Sequence, residues 1–197
     1  MAASSVSFLK DKNTNFNNVI DSFLNLTDGG TVAGASTFSG LIQLDGGHEA
    51  TVVLSGGGTT TLTSANSGAT CIFDTAGASN FTLPSPNLGM RFHFLQAITA
   101  TSDHVIQAAT NDHGFLGGVI FTQLTSTSAD QCDSFSAATD GNNDFITLNA
   151  TTTGGAAAGS SLTCTAILDA TAAKAWAVTG MLLGSGTLAT PFADSQI

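Results

Sequence analysis

From Thr31 onward the chain is divided into short runs in which apolar and polar residues alternate, and the runs stop at glycine, asparagine, aspartate or proline. A period of two sends successive side chains to opposite faces of a strand, and runs this short do not suit helices. Residues 41–44 and 50–54 flank Asp45-Gly46-Gly47-His48-Glu49 and read as a hairpin closed by that loop. Further strands are expected at residues 59–63, 70–74, 81–83, 91–95, 104–107, 119–122, 145–148, 162–168 and 175–180. In the 91–95 run, Phe92 and Phe94 share one face while Arg91, His93 and Leu95 share the other. Trp176 and Val178 likewise fall together. Residues 84–89 form a proline turn outside the sheet, residues 151–161 a loop, and the tail after Gly186 is extended. Roughly ten short strands at this spacing predict an all-β domain, an antiparallel β-sandwich, jelly-roll-like or barrel. No repeat of fixed period stands out, which argues against a solenoid or propeller.

Before Thr31 the pattern is different. Residues 1–14 are small and polar and read as an arm. Phe16, Val19, Ile20, Phe23 and Leu24 then fall at i, i+3, i+4, i+7 and i+8, which puts all five on one helical face. Asn13 or Asn15 can cap such a helix, and Asp28-Gly29-Gly30 stops it. Residues 1–40 are therefore an expected N-terminal arm with a short amphipathic helix, ahead of a β-rich domain at 41–197. A helix of about ten residues is unstable alone, so its apolar face needs a partner surface. That partner is either its own domain or a neighbouring subunit, which makes these five residues the candidate interface.

Charge narrows the functions. Only 9% of the 197 residues are charged, against roughly 25% in ordinary globular proteins. A mean hydropathy of +0.26 predicts order nonetheless. The net charge is −10, and Lys10, Lys12, Arg91 and Lys174 are the whole basic complement. Four scattered cations cannot line a phosphate backbone or an anionic membrane, so neither nucleic acid nor membrane is an expected partner. Cys71, Cys132 and Cys164 are odd in number and form no CxxC pair, which gives zinc no framework. They read as reduced, mostly buried thiols, with one disulfide and a leftover thiol still open. The first twelve residues lack a signal peptide's basic and apolar regions, and no apolar run approaches the ~18 residues of a membrane span. Synthesis in a cytosol is expected.

No motif for chemistry emerges. The histidines at 48, 93, 104 and 113 sit in no nucleophile elbow. Glu49 is the sole glutamate, and the aspartates lie mostly beside glycine or asparagine, as turn residues do. Asp140-Gly141-Asn142-Asn143-Asp144 has the spacing of a calcium loop, but Phe145 and Thr151 stand where an EF-hand needs Gly and Glu. An EF-hand is excluded and a looser calcium site stays open. Asp103-His104 and Asp112-His113 read as surface loop residues rather than metal ligands. The expectation is a non-enzymatic protein with no catalytic residue, no cofactor and no metal ligand.

One stretch has a family likeness. Residues 61–68 (Thr-Leu-Thr-Ser-Ala-Asn-Ser-Gly), Cys71-Ile72-Phe73-Asp74, Phe81-Thr82-Leu83-Pro84 and Gly89-Met90-Arg91-Phe92-His93-Phe94 resemble a segment of small structural proteins of tailed phages. There it reads LTxxxSGxxxxxD, a TLPxP turn and GxRFxF. The Ala-Trp-Ala-Val-Thr-Gly run at 175–180 and Thr190-Pro191-Phe192 resemble the end of such proteins. The resemblance spans residues 59–95 and 162–192; the first 40 residues lie outside it. It implies a β-rich virion protein, a capsid decoration (cement) protein that binds the major capsid protein, commonly as a homotrimer. A tail-fibre or receptor-binding module is the alternative. Low charge and short side chains suit association through flat β-surfaces, because little side-chain entropy is lost. The arm or helix is then the expected anchor to the lattice.

Overall fold

The computed structural model describes residues 51–54, 58–124, 132–138, 143–169 and 174–194. All of them belong to one compact unit at residues 47–197. The expected arm and helix, with Phe16, Val19, Ile20, Phe23 and Leu24, lie outside the described residues, as does the first strand of the expected hairpin.

Twelve strands are described: β1 (Thr51–Leu54), β2 (Gly58–Thr61), β3 (Thr70–Phe73), β4 (Ser79–Thr82), β5 (Arg91–Gln96), β6 (His104–Gln107), β7 (Gly114–Gln123), β8 (Cys132–Ser136), β9 (Asn143–Leu148), β10 (Ser161–Ala166), β11 (Lys174–Gly184) and β12 (Phe192–Asp194). A single 3-10 turn at Ser64–Asn66 is the one helical element among them. The strands form a larger sheet in the order β1-β3-β5-β10-β11-β7-β8 and a smaller one in the order β12-β9-β6-β4-β2. The sandwich-like architecture follows the sequence expectation, but neither sheet closes into a barrel.

The expected antiparallel pairing is corrected. Among the described residues five neighbouring pairs are parallel and five antiparallel. From β1 to β6 the chain alternates between the two sheets, so that β1, β3 and β5 are parallel neighbours in one sheet, and β2, β4 and β6 in the other. Successive strands in one sheet are thus joined by crossovers through the other sheet, which enforces parallel pairing, whereas a hairpin would enforce the antiparallel kind. The result is a coil of three turns, an arrangement the missing repeat had argued against. After β6, the strands β9 and β10 pair antiparallel onto the coil and extend both sheets.

The core lies between the sheets because each strand turns its alternate apolar residues the same way. In β5 Phe92 and Phe94 are buried while Arg91, His93 and Leu95 face outward, as the alternation predicts. Phe73 packs edge-on to Phe81 at 5.0 Å between ring centroids, Phe81 meets Phe94 at 5.6 Å, and Phe92 meets Trp176 at 5.8 Å. Full burial of such rings contributes about 2–3 kcal/mol each before packing gains. Two glycines permit the close approach of the long strands. Gly117 of β7 has φ +87°, and a Cβ there would sit 2.5 Å from the Val178 carbonyl oxygen of β11. Gly180 of β11 faces Leu162 of β10, and a Cβ there would collide with the Ser161 carbonyl.

Candidate interaction surface

The histidines do not converge. His93 lies on the outer face of β5, where its Nδ1 is 2.9 Å from the Thr163 hydroxyl of β10. His104 and His113 are buried, which corrects their reading as surface loop residues. His104 opens β6 and stacks on Phe73 at 4.6 Å with the ring planes 9° apart. Its Nε2 lies 2.9 Å from the carbonyl of Thr75 and 3.1 Å from that of Gly77, so Nε2 carries the proton and donates to the β3–β4 corner. Nδ1 has no partner in the core. Burial lowers the pKa of this imidazole, outweighing the two carbonyls and the charge of Asp103, which act to raise it. His48 lies outside the described residues.

The calcium-like spacing is only partly described, since residues 139–142 are outside. Of the rest, Asn143 Oδ1 accepts the Ala138 N–H at 2.6 Å, and Asp144 is buried in β9. Among the described residues, no three His, Cys, Asp or Glu side chains gather at metal-holding range. All three cysteines are free thiols. Cys71 is buried and its pKa is pushed up to about 12 by that burial. Burial, and secondarily the neighbouring Cys71, raises that of Cys164 as well. Cys132 is exposed on β8 at the edge of the larger sheet. An open recess of about 490 Å³ lies along β7 and β8, and its lining is apolar residues, glycine and serine, with no titratable side chain.

The broadest feature is the outer face of the larger sheet. Register partners align into rows running across the strands. One row runs Thr70–His93–Thr163–Thr179–Gly118–Ser136, from β3 through β5, β10, β11 and β7 to β8. The next runs Ile72–Leu95–Ser161–Met181–Ile120–Ser134 through the same strands. On the other side of the threonine row lies Arg91–Thr165–Ala177–Leu116. None of these residues is acidic, although the chain carries 14 acids. Asp133 of β8 pairs with the inward-facing Phe121, and so points to the opposite face. Ile120 is 55% exposed and Met181 44%, large values for apolar residues at the middle of strands. The outer face of the smaller sheet carries Val105 and Phe145 among a hydrogen-bonded polar network: Asn80 donates to Gln107 at 2.9 Å, and Gln107 donates to the Thr82 hydroxyl at 2.9 Å.

Comparison of the chain with protein-family models, with curated proteins and with solved structures returned no match.

Proposed function

We propose that this chain is a structural protein of a tailed-phage virion that binds the outside of the capsid and stabilises it as a homo-oligomer. The observation that carries this reading is the outer face of the larger sheet, which is wide and whose described rows carry no acid, on a chain of net charge −10. Such a face gives shape-matched contact without like-charge repulsion, and its short side chains lose little entropy when covered. The segments that resemble phage proteins support it too: residues 61–94 span the end of β2 through β5, one continuous stretch of the coil. A protein that binds only the assembled lattice stabilises that lattice by mass action.

The test is a binding experiment with expanded heads stripped of surface proteins. Purified full-length chain should sediment with such heads, saturate at a fixed number per capsomer, and raise the temperature at which they rupture. Protein that stays in the supernatant at every concentration overturns the reading. One observation favours a tail-fibre or receptor-binding module instead: a parallel coil is an architecture that lengthens by adding turns. Binding to host cells rather than to heads would select that alternative.

A further inference from the structure

We propose that the row Ile72–Leu95–Ser161–Met181–Ile120 on the outer face of the larger sheet is a self-complementary contact, and that its occupant is a second copy of this chain. This deepens the preceding reading, from which it takes the expectation of self-association. Short of Ser134 at the β8 edge, the row is symmetric in character: two apolar side chains, a small one, then two apolar side chains. A two-fold interface brings residue i onto j and j onto i. An axis passing at Ser161 lays Leu95 of one copy against Met181 of the other, and Ile72 against Ile120. Large apolar side chains then meet on both sides of a small centre, at the roughly 10 Å spacing of sheets packed face to face.

Charge and area favour a copy over another occupant. Two chains of net charge −10 repel one another everywhere that acids are presented. The described rows of this face present none; His93 lies on the row beside the apolar one and Arg91 on the row beyond that. The sixteen positions of the three rows, on strands about 4.8 Å apart with rows about 7 Å apart, give roughly 540 Å² in projection and more as accessible surface. That approaches the about 800 Å² per partner of a standard stable interface.

Sedimentation of the full chain tests the proposal, comparing wild type with an Ile120→Asp/Met181→Asp double variant. Both side chains are about half exposed, so the protomer should keep its circular dichroism and its Trp176 fluorescence. Self-association is expected to weaken by about tenfold or more, because carboxylates are placed in the apolar contact. A second measurement does not depend on that variant folding: Ser161→Cys in a Cys132→Ser background should give a covalent dimer with a short bis-maleimide, since Cys71 and Cys164 are buried. A wild type that stays monomeric at about 100 µM, unchanged association of a folded double variant, or no cross-link at position 161 would each overturn the proposal. Head binding is scored separately. Copies that pair through this face yet ignore heads would sink the capsid reading alone, and head binding by a strict monomer would sink this proposal while leaving the capsid-binding part of that reading standing.

Discussion

His104 shows how one side chain ties the coil together. It closes a corner between the sheets with its Nε2–H while its ring extends the stack begun by Phe73. The folded protein holds this imidazole below its ordinary value, so between that lowered value and about 6.5 the unfolded chain binds the proton more readily. Stability from this site is therefore complete above about pH 6.5 and is lost as pH falls through that window. A His104→Phe variant keeps a ring on Phe73 but loses the hydrogen bonds to two carbonyls, and should be less stable by about 1–2 kcal/mol at neutral pH. The gap between wild type and variant should narrow as the solution is acidified, because only the wild type carries this titration. Urea melts followed by Trp176 fluorescence at several pH values check this; a gap independent of pH contradicts it. The cysteines give a simpler test. Cys132 should react rapidly with a thiol reagent in the native protein, while Cys71 and Cys164 should become reactive only on unfolding, being buried and held as protonated thiols. Three equally fast thiols would contradict the buried placement.

At the scale of strands, packing sets the costs. Phe73 touches Phe81, Phe94 and His104, so Phe73→Ala should cost about 3–5 kcal/mol, read as a shift of the denaturation midpoint. Gly117→Ala should cost about 1–3 kcal/mol, because it combines a left-handed φ with a Cβ against the Val178 carbonyl. An alanine variant as stable as wild type would show that β7 and β11 can separate. Strand identity was largely legible in the sequence: His104–Gln107 matches its expected run residue for residue, and the inward faces of β5 and β11 follow the alternation. β8 was missed because Cys132–Ser136 has exposed positions on both faces and one half-buried phenylalanine, which leaves almost no alternation to read. The candidate surface was legible only in fragments. Thr70 and Ile72, or Thr179 and Met181, could be assigned to an outward side, but the rows depend on which strands abut. β10 lies between β5 and β11, and β5 is some 70 residues away in sequence from its partner. His104 misled for a related reason: its burial at the start of β6 is decided by Phe73, which stacks on it from the other sheet, not by polarity.

At the scale of the molecule, pairing is dominated by contacts distant in sequence, which makes slow, millisecond-to-second folding the expectation for stopped-flow refolding. The coil escaped sequence analysis because its turns are unequal. Register partners Thr51, Thr70 and His93 are 19 and then 23 residues apart, and Gly58, Ser79 and His104 are 21 and then 25 apart. A search for a fixed period misses a coil that widens as it winds.

That widening is also a record of what the corners tolerate. Chain has been accommodated between strands while the pairing of neighbouring turns is maintained, so corner length and sheet register are separable properties. The corner between β5 and β6, where Ser102 is exposed, is thus a place for foreign cargo. A ten-residue epitope inserted after Ser102 should lower stability by only about 1 kcal/mol, since loop closure grows slowly with length. Unaltered spectra with the epitope open to antibody would make this slab a display scaffold, whereas an insertion that unfolds it would show that the corner is held as tightly as the core.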